Sequence, residues 1–576
     1  MISKWNYLPL TSQEQEIEAQ LAERFTNCAS IARLLVQRGV KSREDVQSFF
    51  YPTLNQLHDP FLMKDMDKAV DRLNRALGAK EKIMVYGDYD VDGTTAVALV
   101  YKYLQNFYSK LVYYIPTRED EGYGISMQSI DYAEEIGVRL IIVLDCGIKA
   151  IDEIAYAKSK GIDFIVCDHH VPDEELPCAV AILNPKQDND NYPFKDLSGC
   201  GVGYKFMQAF AKSNGINNLY ELESLLDLLA VSIVADIVPL VGENRVMAYY
   251  GLKRLNSNPN VGLRSIIKLC NLNNKELTIS DIIFKIGPLI NASGRMQSGQ
   301  ETVELLVTKD SHKAYEISKN IDRYNKDRKE LDRQITDEAN EIIENHVEIT
   351  NSKRPIVLYN KNWHQGVIGI VASRLSELYF KPSVVLTYAG DGVVIGSSRS
   401  IRGFDVYSAV KYTRDLLENF GGHTNAVGLS MKEENFEEFK KRFSEYVEQR
   451  IKIEQVTPQI DVDCELRFNE ITPEFMRYLR LFNPFGPDNA KPVFVTRGVR
   501  DVGTSKLVGR KNEHIKLEVA DESGTVMNGI AFNMQECFQH ISEGKPFDIC
   551  YTIEENKRRG GSTIQLLVKA IKTGDA

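Results

Sequence analysis

KIMVYGDYDVDGTTA (82–96) is the stretch whose reading decides the fold. After its first lysine it runs apolar without the alternation of a half-exposed strand, as a strand buried on both faces should. The run then meets Asp88, Asp90 and Asp92 at alternate positions and passes into small and branched residues at helical spacing. Two later stretches repeat the pattern: RLIIVLD (139–145) and DFIVCD (163–168) are also apolar runs that end in aspartate. Helical periodicity over 94–108 and 150–160 separates the three. Strands alternating with helices predict a parallel sheet covered on both faces.

Side chains two apart on extended chain point the same way, so the carboxylates of DxDxD can converge. Ligand sites of such sheets lie beyond the carboxyl ends of the strands. Asp145, and the run Asp168-His169-His170, stand at that same edge. Clustered carboxylates repel one another, and divalent cations are their natural counter-charge. Oxygen-rich ligands with an imidazole favour manganese or magnesium, and a pair of such ions suits phosphodiester hydrolysis. A calcium loop of the EF-hand kind is excluded, because residue 99, where its closing glutamate would fall, is leucine.

Working outward, residues 1–75 read as an N-terminal helical segment, with short helices over 30–36 and 42–50 and a proline-containing loop after them. Residues 76–300 form the expected catalytic lobe. Residues 301–352 are highly charged and lack proline, which predicts long helices joining two lobes. A second α/β pattern begins at PIVLY (355–359) and fills 353–455. From 456 to 576, short alternating segments (KPVFVTRGV, HIKLEVAD, FDICYTIEE, STIQLLVKA) predict a small β-barrel. The expected fold is therefore α/β: a parallel-sheet lobe and a second α/β lobe joined by long helices, followed by a barrel.

The 576 residues carry 70 basic and 80 acidic side chains, a net charge of -10. That total argues against a general nucleic-acid coat, but the acidity is local. Residues 81–240 hold about twice as many acidic as basic residues, and the rest of the chain is slightly basic. Within the tail, 491–520 has seven basic residues (Lys491, Arg497, Arg500, Lys506, Arg510, Lys511, Lys516) against three acidic. Nine scattered cysteines with no CxxC pair point to a reducing compartment and away from structural zinc. The start of the chain lacks the apolar core of a signal peptide, and no run approaches a membrane span. The expectation is a cytoplasmic protein that does not engage membrane.

Outside the acidic motifs, Arg295 follows an Asn-Ala-Ser-Gly turn, and Arg374 and Arg399 lie beside Ser373 and Ser398. A guanidinium fork, paired in the latter two with a hydroxyl, suits phosphate oxygens, while the plainer reading is a structural arginine for Arg295 and a surface ion pair for Arg374 and Arg399. Gly421-Gly422 permits close backbone approach, which would let His423 reach a phosphate.

Taken together, GDYDVDG, LDCGI, CDHH and VADIVPL (234–240) resemble the four ordered motifs of the DHH phosphoesterase superfamily. INASGRM, WHQGVIGIVASRL, SRSIRGFD and GGHTNAVGL extend the resemblance to the bacterial RecJ exonucleases, the last marking a DHHA1 domain; the tail resembles that family's OB-fold module. The resemblance implies that Asp88, Asp90, Asp92, Asp145, His169 and Asp236 hold two divalent metals, Asp145 between them. Asp90, Asp145 and His169 would serve catalysis together with His170, which would face the scissile phosphate. Arg295, Ser373, Arg374, Arg399 and His423 would join His170 in binding substrate. It further implies a monomeric single-stranded-DNA-specific 5′-to-3′ exonuclease of recombination and repair. Single-strand-binding protein and a RecQ-type helicase would be its partners. The rivals are a DHH oligoribonuclease or small-phosphoester hydrolase, which would lack the basic tail, and a catalytically dead scaffold, which would lack the ligands. PFGPDNAKPVF departs from the family's PFGxGNPxPxF by losing a glycine and a proline, which puts that loop's geometry in question.

Overall fold

The computed structural model describes residues 4–25, 28–118, 121–122, 124–345, 353–558 and 561–574. Strand β1 (Lys4–Tyr7) leads into three short helices, Ser12–Ala22, Ala29–Val36 and Arg43–Phe50. Thr11 and Ser42 cap the first and third of these through capping boxes. These helices are too short to be stable alone. They bury Ile31, Leu34, Leu35 and Phe50 against Phe475, Phe482, Phe494 and Tyr551 of the distant C-terminal region, forming one core. The helix Met66–Gly78 instead packs into the catalytic core through Met66, Val70 and Leu73. The expected segment 1–75 is thus shared between the two ends of the molecule.

Strands β2 (Lys82–Gly87), β3 (Leu111–Tyr114), β4 (Val138–Leu144), β5 (Asp163–Cys167) and β6 (Ala181–Leu183) form an all-parallel sheet in the order β3-β2-β4-β5-β6. Its two faces belong to two separate apolar clusters, as continuous apolar strands require. Strand order reverses between β2 and β4, so the crevice of the sheet opens at their carboxyl ends. Each of β2, β4 and β5 stops one residue short of an aspartate.

The lobes are joined by one 34-residue helix, Ser311–Glu344, preceded by the shorter Gly299–Val307. At 1.5 Å per residue it is about 50 Å long. Of the stretch 301–352 expected to be helical, residues 346–352 lie outside the described residues. Its buried stripe is apolar at both ends, with Ala314 and Ile321 in the catalytic core and Ile335, Ala339 and Ile343 in the second lobe. In the middle the stripe turns polar, through Asn325, Arg328 and Asp332.

The second lobe is a mixed sheet of β7 (Ile356–Tyr359), β8 (Ser383–Gly390), β9 (Val393–Arg399), β10 (Leu417–His423) and β11 (Ala426–Lys432). Only β7 and β8 pair parallel; the order is β10-β11-β9-β8-β7. Strand β12 (Gln459–Val462) then pairs with β1. The tail comprises β13 (Cys464–Glu465), β14 (Phe494–Asp501), β15 (Lys506–Val508), β16 (His514–Ala520), β17 (Val526–Ala531), β18 (Phe547–Arg558) and β19 (Gly561–Thr573). A β14–β16 pairing closes it into the expected barrel. The 482–489 loop keeps a defined shape without its family glycine. Asp488 takes the left-handed conformation at φ 58°, which aspartate tolerates. The buried Asn489 side chain donates to the carbonyls of Phe482 and Pro484.

Arg245 rivets this loop to the catalytic lobe, donating to the carbonyls of Phe49, Leu481, Phe482, Asn483 and Pro484, with its guanidinium 4.0 Å over the Phe49 ring. Leu240, the last residue of VADIVPL, donates its backbone N–H to the Pro487 carbonyl at 2.8 Å. The barrel therefore braces the loop that follows Asp236.

Candidate active site

Asp88, Asp90 and Asp92 leave the end of β2 on the turn into the helix Val91–Leu104, which Asp90 caps through Gly93 N–H at 3.0 Å. The turn is tight: a Cβ on Gly93 would lie 2.4 Å from the Asp88 carbonyl oxygen. Asp92 is held by three donors, the Gly199 and Cys200 amides at the start of another helix and the Ser232 hydroxyl, at 2.6, 2.8 and 2.7 Å. That leaves its Oδ2 3.8 Å from His169 Nε2. Asp145 adopts the left-handed conformation at φ 61° just past β4. His169 Nε2 stands 3.1 Å from Asp145 Oδ1 and 3.6 Å from Asp236 Oδ2.

Three overlapping ligand groups result, and one of them, Asp145, His169 and His170, links the other two. Asp88, Asp90 and Asp145 offer one set of atoms, and Asp92, His169 and Asp236 a second; within each set the atoms lie no more than 4.8 Å apart. Asp145 beside His169 places its carboxylate between the two. The Oδ1 of Asp88 is buried without a hydrogen-bond partner among the described residues. Such an atom is costly unless something binds it. Burial, then the charge of neighbouring carboxylates, holds Asp88, Asp90 and Asp145 above the usual carboxylate range and pushes Asp236 up to about 9. A set of hard oxygens with one imidazole, crowded until it holds protons, fits two divalent cations of the magnesium or manganese kind.

The adjacent histidines divide their roles. Burial lowers His169 to about 4, outweighing the pull of Asp92, so it is a neutral ligand-type imidazole. Burial also opposes charge on His170, but the hydrogen bond and charge of Asp168, with Asp236 and Asp90 beyond, raise it to about 9. Asp168, read from the sequence as one more acid delivered to the crevice, instead turns away. Its Oδ1 accepts from His169 N–H, His170 N–H and the His170 ring at 2.7, 3.1 and 2.7 Å, and its Oδ2 accepts from Ile148 N–H at 3.0 Å. Burial alone would raise Asp168; these histidine contacts hold it far below the usual range.

Facing the acids is a cluster of arginines. Arg295, at the end of the helix Gly287–Met296, donates to the Gly366 carbonyl of the second lobe at 3.2 Å. Burial, then the charges of Arg118, Arg328 and Arg399, push it down to about 10. Arg399 at the end of β9 is oriented by the Ser373 and Ser397 hydroxyls and the Ser398 carbonyl, at 3.1, 2.7 and 2.8 Å. Burial and Arg118 lower it also. His423 lies at the end of β10, and after burial the charges of Arg399, His170 and Lys186 lower it, so it stands within electrostatic reach of both clusters. Arg374 does not join this set: it pairs with Asp332 of the connecting helix at 2.7 Å. A buried acid in the polar middle of that helix claims it, so it is an ion pair, as the plainer reading had it, but one anchored on a buried carboxylate.

Three cations were missed by sequence reading. Arg118 follows β3, its guanidinium over the Tyr89 ring, and its charge acts on Asp88, Arg295 and Arg399. Arg328 was legible only as a basic residue interrupting the buried stripe of a long helix. Lys186 acts on His169, Asp236 and His423 from the loop after β6. The WHQG segment (363–366) meets the cluster only through the Gly366 carbonyl that accepts from Arg295; Trp363 donates to Glu338 of the connecting helix at 2.8 Å and docks the lobe.

In the barrel, Phe482 and Phe494 are core residues, and Lys491 and Arg497 are committed to ion pairs with Glu554 and Glu465. Lys506, Arg510, Lys511 and Lys516 remain exposed on β15–β16 and its hairpin, with Lys506 directly opposite Lys516.

Sheet, crevice and acid–histidine edge define a DHH-type protein, and residues 82–233 match the DHH family N-terminal domain. Residues 353–449 match the DHHA1 domain and 462–570 the RecJ OB domain. The chain is 36% identical over 560 residues to the single-stranded-DNA-specific exonuclease RecJ of Bacillus subtilis, covering 96% of this chain and 69% of that one. It is 32% identical to the Haemophilus influenzae RecJ, covering 97% and 98%. The crystal structure of Thermus thermophilus RecJ with Mn2+ superposes with a TM-score of 0.82 at 25% identity, over all of this chain and 80% of that one. The chain belongs to the RecJ family.

Proposed function

We propose that the chain is a metal-dependent exonuclease that removes nucleotides from the 5′ end of single-stranded DNA in recombination and repair. The observation that carries this is the pairing of a six-ligand acid–imidazole cluster with an arginine cluster across one crevice. Asp88, Asp90, Asp92, Asp145, His169 and Asp236 would hold two divalent cations, manganese or magnesium. The cations supply an activated water and neutralise charge developing on the phosphoryl oxygens. His170, held cationic by Asp168 at Nδ1, donates its other ring N–H toward the non-bridging oxygen of the scissile phosphate. Arg295 and Arg399, with Arg118 and Arg328 behind them and Ser373 and His423 at the edge, bind strand phosphates. The exposed lysines of β15–β16 extend the basic track onto the barrel.

The described residues include no helix long and apolar enough to cross a membrane. On the same family reading the protein is a cytoplasmic monomer, working on strands opened by a RecQ-type helicase and coated by single-strand-binding protein. The deciding experiment incubates the protein with manganese and end-labelled single strands, duplex and RNA. Release of the 5′ label from single-stranded DNA alone is expected; release from the 3′ end, or equal attack on RNA, defeats the polarity or substrate assignment.

A further inference from the structure

Ile237 directly follows Asp236 and is held at φ 59°. Eleven non-glycine residues take positive φ among the described residues; eight are Asn or Asp, and Ile237 is the one with a branched Cβ. A branched side chain suffers most in this conformation, and glycine would adopt it freely. The strain is not repaid by packing, because Ile237 is 66% exposed. The loop is held in place from both sides, by Asp236 N–H to the Ser232 carbonyl at 2.9 Å and Leu240 N–H to the Pro487 carbonyl at 2.8 Å. Val171, directly after His170, is 67% exposed. These two and Phe284 are the three most exposed large apolar side chains among the described residues. Two of the three thus stand next to the cluster, one on each of the loops that carry Asp236 and His170.

We propose that Val171 and Ile237 form an apolar shelf that holds the base and sugar of the nucleotide whose phosphate lies at the metal cluster. This rests on the exonuclease reading. The occupant follows from continuity. Asp236 Oδ2 is 3.6 Å from His169 Nε2, so a phosphate reaching that cluster brings its own nucleoside over the residues that flank it. Aliphatic contact suits any base, since each presents an apolar face, and an enzyme that shortens a strand of arbitrary sequence needs that tolerance. Strain held in an exposed isoleucine beside Asp236 is of the kind that functional sites store.

The test is a cycle between protein and substrate, run with manganese on strands that are intact or carry one abasic residue at the terminal or the next position. The wild-type protein is expected to lose about tenfold in kcat/KM at one abasic position, the scale of one apolar side chain's contact. V171A/I237G is expected to lose about the same on intact strands and nothing more on the abasic ones. Ile237→Gly should also raise the thermal midpoint, because it releases the strain; Ile237→Val should keep activity on intact strands. Equal losses on both substrates overturn the base contact. Wild-type rates in V171A/I237G overturn it too and leave the shelf to a protein partner. If the wild-type protein fails to cut intact strands, the exonuclease reading itself falls, and the shelf with it.

Discussion

The two sides of the crevice are opposites in charge and alike in physics. On one side, burial and then neighbouring carboxylates hold Asp145 and Asp236 above the usual carboxylate range. On the other, burial and then the charges of Arg118, Arg328 and Arg399 lower Arg295 to about 10. Each cluster is unfavourable alone, and each is relieved by a ligand of opposite sign: a divalent cation for one, a phosphate for the other. They differ in construction. The acids come from one sheet edge and two loops of one lobe. The arginines come from the catalytic lobe, the connecting helix and the second lobe, so the positive side exists only while the lobes are docked.

Asp90→Ala should break the negative side outright. Cleavage should fall about a thousandfold or more, while single-strand binding measured by fluorescence anisotropy persists. Retained turnover by a clean preparation would refute the ligand assignment. Arg295→Ala should weaken binding by about 1.5–3 kcal/mol, the range for a charge-assisted hydrogen bond. It should also lower the salt slope of binding by about one. An unchanged slope would remove Arg295 from the phosphate set.

Cation binding should also expel protons. Asp236, pushed up to about 9, holds a proton in the metal-free protein at neutral pH, and a cation must displace it. Affinity should therefore climb as pH rises toward about 9, where Asp236 ionises unaided. Calorimetry in two buffers of different ionisation enthalpy reads the proton count; none released would contradict the crowding. Arg374→Ala gives the smallest effect on cleavage: committed to Asp332 and not to the cluster, it should change the rate less than about threefold, while the thermal midpoint falls because the buried Asp332 loses that partner. A loss matching that of Arg295→Ala would return it to the cluster.

The negative side was legible in the chain because its chemistry is local. DxDxD is one turn, and Asp145, His169 and His170 mark strand ends that apolar runs announce. Asp236 emerged through family resemblance, since nothing about an acid after LLAVSIV distinguishes a ligand from a helix end. Asp168 was misjudged because alternation says where a side chain starts, not what it hydrogen-bonds. The barrel was foreseen from its alternating strands. Its sharing of a core with Ala29–Val36 and Arg43–Phe50 was not, because an amphipathic helix shows that it needs a partner and not which partner.

The sequence by itself therefore determined the parallel sheet, the crevice edge and most of the candidate metal ligands, since backbone periodicity and strand ends are short-range properties. Tertiary structure alone decided which arginines gather around Arg295. Their spacing, from Arg118 to Arg399, is bridged by a 34-residue helix whose docking no local pattern encodes. It also decided that Arg374 is spent on Asp332 and that Ile237 is held strained and exposed beside a candidate metal ligand. Pairing and strain depend on what the rest of the fold places within reach.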